Sequence, residues 1–142
     1  MKRKILVCAL IVVMIFAMSG IATAASNQDY EGAVAAKSGS QGVIWSQTTV
    51  SKGDGTTGAI DRNKHAYKGS HESGTKATIV SRMYCSGHTQ QVSNLMTVAS
   101  GRTVSAKFTD HAKSHDKGDA FKMKWGNSNS YKVYIKGNYG VQ

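Results

Sequence analysis

Phe121-Lys122-Met123-Lys124-Trp125 and, shortly after it, Tyr131-Lys132-Val133-Tyr134-Ile135-Lys136 alternate apolar side chains with lysines, Tyr134 taking one of the lysine positions. Successive side chains of a strand point to opposite faces, so a period of two gives each segment one apolar face and one face rich in lysine. Working outward, Ala77, Ile79, Ser81 and Met83 alternate with Thr78, Arg82 and Tyr84, and Val104, Ala106 and Phe108 with Thr103, Ser105 and Lys107. Turn-forming groups at Ser86-Gly87, Ser100-Gly101, Lys117-Gly118-Asp119 and Gly126-Asn127 separate these runs. Gly42–Val50 and Gln91–Ala99 read as further strands, and Ser51–Lys64, with Gly53, Gly55 and Gly58, as a long polar loop. The pattern predicts an all-β fold, a small antiparallel β-sandwich, with Trp45, Phe108, Phe121 and Trp125 as core anchors.

The chain has 142 residues and a net charge of +10. Its hydrophobic fraction of 40% excludes a disordered charged tail. Two cysteines exclude a disulfide-dense scaffold and a four-cysteine zinc site. Lys2, Arg3 and Lys4, the apolar run Ile5 to Met18, and the small residues up to Ala25 follow the order of a secretory signal, cleaved after Ala24 or Ala25. The competing reading is an uncleaved anchor, but Ile5–Met18 is shorter than the roughly 20 residues a bilayer needs. The expected division is a signal helix over 1–25, a flexible leader over 26–41 and the β domain over 42–142. Loss of the signal removes three of the 18 basic residues and none of the eight acidic ones, leaving net +7 and one cysteine, Cys85. A single cysteine in an exported chain either pairs between chains or is buried, and the strand-like Met83-Tyr84-Cys85 favours burial.

Asp110-His111-Ala112-Lys113-Ser114-His115-Asp116-Lys117-Gly118-Asp119 concentrates groups that bind borderline metals, with His111, His115 and Asp116 as the candidate ligands. Two histidines at this spacing come within ligand reach of each other on a helix but not along a strand, and this segment lies between two strands. A polar loop with solvated charges is therefore expected, with no metal and no other cofactor. Ser51-Lys52-Gly53-Asp54-Gly55 lacks the alternating oxygen ligands of a calcium loop. His65, His71 and His88 lie scattered in polar sequence, and no nucleophile elbow or phosphate loop is present. An enzyme is not expected.

The broadest signal is the basic excess. If the last two segments form a hairpin, Lys122, Lys124, Lys132 and Lys136 project from one side with Tyr134 among them, a patch suited to an anionic cell-wall polymer or a membrane surface. Export argues against nucleic acid. The competing view is that these lysines only protect edges and keep the chain soluble.

The signal, Gly74-Thr75-Lys76-Ala77-Thr78-Ile79-Val80, and the tail from Asn127 to Tyr139 resemble small secreted proteins of Gram-positive bacteria that have no assigned function and lie beside bacteriocin-type export genes. His65-Ala66-Tyr67-Lys68-Gly69-Ser70-His71 followed by Ala77-Thr78-Ile79-Val80 is similar, over that short window, to lactococcin-type bacteriocins. The resemblance implies an extracellular β-sandwich without catalytic residues, in the second family one that interferes with cell-wall synthesis. The expected function is a secreted, cationic, non-enzymatic protein that binds an anionic envelope component, extending to bacteriocin-like antagonism. The alternative is a structural or adhesion module that binds a protein or glycan.

Overall fold

A computed structural model of the chain describes residues 27–37, 42–87 and 90–142. The expected signal helix, the stretch 38–41 and His88 lie outside the described residues. The strands are β1 (Asn27–Val34), β2 (Gly42–Trp45), β3 (Val50–Ser51), β4 (Gly58–Lys68), β5 (Thr78–Cys85), β6 (Met96–Ala99), β7 (Thr103–Lys107), β8 (Ala120–Asn127) and β9 (Val133–Val141). A single helical turn, α1 (Asp110–Lys113), lies between β7 and β8.

The strands form two antiparallel sheets. One has the order β1-β9-β4-β7; the other has the order β2-β8-β5-β6, with β3 also pairing with β8. Apolar side chains of both sheets meet in one core, where Val34, Val133, Ile135 and Tyr139 of the first face Ile79, Met83, Phe121, Met123 and Trp125 of the second. The alternation expected for β5 and β8 holds: Ile79, Ser81, Met83 and Cys85, and Phe121, Met123 and Trp125, all point inward.

Several expectations are corrected. Residues 27–34, expected within a flexible leader, form strand β1, paired along its whole length with β9, so the ordered domain begins before residue 42. Its apolar pattern is thin because Gly32 faces inward where a Cβ would come within 2.8 Å of Ile44 Cδ1; the Ile44 side chain fills the space instead. The expected loop Ser51–Lys64 ends early, since β4 starts at Gly58. The inward positions of β4 include Asp61 and Asn63, both buried, which hides the strand from a reading by hydrophobicity. Gly42–Val50 divides into β2 and β3, and Gln91–Ala99 yields only β6, preceded by isolated bridges at Gln91 and Ser93. Phe108, Phe121 and Trp125 are core anchors, whereas Trp45 is 41% exposed, because Ile44 takes the inward position on β2. Tyr30 and Tyr139 supply the missing aromatic mass.

Asp61 joins the two sheets. Its Oδ1 accepts from the Tyr30 hydroxyl at 2.7 Å and its Oδ2 from Trp125 Nε1–H at 2.9 Å, across to the second sheet. Asn63 Nδ2 donates to the Tyr30 oxygen at 3.0 Å. The Tyr30 and Trp125 rings lie 4.2 Å apart. Gly137, paired with Tyr30, leaves room for that hydroxyl; a Cβ there would stand 2.7 Å from it. Tyr30→Phe removes one donor from a buried carboxylate and the acceptor of Asn63. The expected cost is about 1–3 kcal/mol, read as a lower midpoint of urea unfolding with an unchanged slope; an unchanged midpoint would contradict the network.

Candidate functional site

The strands bearing the expected basic patch do not pair with each other. β8 lies in one sheet and β9 in the other, so Lys122 and Lys124 are separated from Lys132, Tyr134 and Lys136. The hairpin premise is corrected: a turn that opens between two sheets has the same local chemistry as one that closes a hairpin. Lys132 is exposed just before β9. Lys136 Nζ lies 3.5 Å from Glu31 and 3.7 Å from Glu72. Tyr134 is only 7% exposed and donates to Glu31 Oε1 at 2.6 Å. Burial, followed by that carboxylate, pushes the Tyr134 hydroxyl up to about 12, while the hydroxyl and Lys136 hold Glu31 below the usual carboxylate range. Lys136 is thus met by the two acids around it, Glu31 and Glu72.

The outward face of the second sheet differs. Arg82 and Tyr84 on β5 pair with Lys124 and Lys122 on β8, and Trp45 on β2 pairs with Lys124 from the other side. No aspartate or glutamate occurs in β2, β5, β6 or β8. Like charges directly opposite each other destabilise a sheet, and Arg82 and Lys124 are such a pair. Partial relief comes from aromatic faces: Lys124 Nζ lies 5.3 Å from the Trp45 ring centre and 5.7 Å from that of Tyr84, within cation–π range. Arg82 Nε is buried and has no hydrogen-bond partner among the described residues. Arg82, Tyr84, Leu95 and Lys124 line a depression of about 250 Å³. Period-two alternation put Arg82 and Tyr84 on one outward face, but only the strand order sets them beside Lys122, Lys124 and Trp45.

A second cluster forms where the sequence predicts a solvated loop. Thr109 caps α1 by accepting from Ala112 N–H, and buried Ala112 anchors the turn. This single turn brings His111 and His115 together, with Nε2 atoms 3.2 Å apart. Cys85, at the end of β5, places its Sγ 2.9 Å from His115 Nε2 and 3.6 Å from His111 Nε2. Asp119 Oδ2 lies 2.7 Å from His115 Nδ1 and accepts from Asp116 N–H at 3.1 Å. The His115 side chain, foremost, holds the Asp119 carboxyl below its ordinary range. Of the expected ligands, His111 and His115 belong to the cluster; the Asp116 side chain is exposed, and Cys85 joins instead. Thiol, imidazole and carboxylate stand in the order of a nucleophile, its base and an orienting acid. Yet Cys85 is 3% exposed, and burial, then the Asp119 charge, pushes its thiol up, which makes it a weaker nucleophile.

No family model matches the chain, and no curated protein or solved structure matches it.

With a chelator present, Cys85 should react with an aromatic disulfide reagent at least about tenfold more slowly in the folded protein than in urea. Equal rates would show an accessible thiol.

Proposed function

We propose that the protein is a secreted, cationic, non-enzymatic protein, a small β-sandwich freed of its signal, that binds an anionic cell-envelope polymer through the outward face of the β2-β8-β5-β6 sheet. The observation that carries this reading is the Arg82–Lys124 pair, two like charges held opposite each other on a face whose strands hold no acid. A phosphate-bearing polymer laid across the face relieves that repulsion by placing negative charge between the two cations. Trp45 and Tyr84, with ring centres 5.0 Å apart, offer apolar surface to the sugar or glycerol units between charges. Export rests on the order of residues 1–25, and the net +7 of the exported chain favours long-range attraction to anionic walls. Antagonism of related bacteria is one form this binding takes.

The test is retention of the exported chain on cell-wall fractions across a salt series. Arg82→Ser/Lys122→Ser/Lys124→Ser should weaken retention at low salt at least about tenfold, whereas Lys132→Ser/Lys136→Ser should leave it within about twofold. Equal losses from both variants would contradict the assignment. Retention indifferent to salt would replace it with an adhesion module.

A further inference from the structure

Cys85 Sγ, His111 Nε2 and His115 Nε2 converge on one point, every pair of ligand atoms lying within 4.8 Å. With Asp119 at His115 Nδ1, that nitrogen carries the proton and the His115 Nε2 lone pair faces the cluster. Without a cation, the three atoms have only the Cys85 S–H and, in one tautomer, the His111 Nε2–H to share among them at these separations. A cation instead uses one lone pair from each of the three groups. Tetrahedral zinc, with bonds of about 2.05 Å to nitrogen and about 2.3 Å to sulfur, spaces its ligands about 3.3 Å (nitrogen to nitrogen) and about 3.6 Å (nitrogen to sulfur). Two of the three separations already match, at 3.2 and 3.6 Å. The third, 2.9 Å, needs to open by about 0.7 Å.

We propose that Cys85, His111 and His115 bind a zinc ion, with Asp119 as the positioning residue for His115. A carboxylate on the far nitrogen of a ligating imidazole is the usual outer-shell device of zinc sites, since it fixes tautomer and ring orientation together. The Asp116 N–H in turn holds that carboxylate, and the Phe121 ring packs at right angles to His115, 5.5 Å between centres. Cys85 forms the buried floor, His115 the wall and exposed His111 the rim. The fourth position therefore opens toward solvent on the His111 side, as in zinc sites that keep a water or take an exchangeable ligand. Cys85 comes from β5 and the histidines from the β7–β8 connection, so the metal ties that connection to the second sheet. Binding only to the folded state, it stabilises that state.

Cobalt(II) titration of the metal-free exported chain, under reducing conditions, tests the proposal. The expected result is one equivalent bound, with tetrahedral visible bands and a near-ultraviolet thiolate-to-cobalt band, all displaced by zinc. Zinc should also raise the melting temperature, and a chelator should reverse the rise. Cys85→Ser should lose the thiolate band, His111→Ala should lose tight binding, and Asp119→Asn should weaken binding about 10- to 100-fold. His71→Ala should titrate like the parent protein. Because His111 is exposed, His111→Ala keeps the test decisive even if Cys85→Ser folds poorly. A folded parent protein without the thiolate band, or a His111→Ala titration identical to the parent's, would overturn the site.

Discussion

A carboxylate shut off from solvent holds the two sheets together. Asp61 is 0% exposed and receives one hydrogen bond from its own sheet, through Tyr30, and one from the other, through Trp125. A charge in such a place costs several kcal/mol unless donors meet it. The arrangement is therefore all or nothing: each donor is tolerable because the others are present. It also fixes register. Slipping β4 by one residue against β9 would turn Asp61 outward and bring Arg62 into the core, with no acid there to receive it. Tyr30 draws β1 into the sheet for the same reason, and Gly137 is the space it occupies.

That network also explains which parts of the fold could be read in advance. β5, and β8 as far as Trp125, bury apolar or small side chains at alternate positions, so their period of two is plain in the sequence. β1 and β4 bury Tyr30, Asp61 and Asn63, and each reads as polar until the partners of those groups are known. Hydropathy registers the cost of burying Asp61 but not the hydrogen bonds that offset it. Trp45 errs in the opposite direction: large and aromatic, it resembles core, yet it sits on the outward face over Lys124.

The candidate sites were legible to the same limited degree. Alternation assigned Lys122, Lys124, Arg82 and Tyr84 to outward faces, but no local pattern tells whether β8 and β9 pair or diverge. Diverging, they leave one sheet face without acids and the other with Glu31 and Glu72 against Lys136. The histidines illustrate a different limit. A spacing of four residues brings side chains together only on a helix, and a single turn capped by Thr109 is too short to show as periodicity. Cys85 lies far away in sequence, and only the path of β5 beside β8 brings it under that turn.

The most direct measurement is the titration of the Asp61 carboxyl carbon by NMR in the folded protein. Burial raises the Asp61 pKa, and the hydrogen bonds from Tyr30 and Trp125 only partly offset it. The unfolded value is about 3.9, so the folded chain takes up this proton first. Stability from this group therefore rises as pH falls through the folded value, and the gain is complete below the unfolded one. Exposed Asp110, held down by its Lys113 partner, should titrate below its ordinary range in the same spectra. The account predicts an Asp61 midpoint clearly above that of every exposed aspartate; a midpoint at or below theirs would contradict a buried carboxylate joining the sheets.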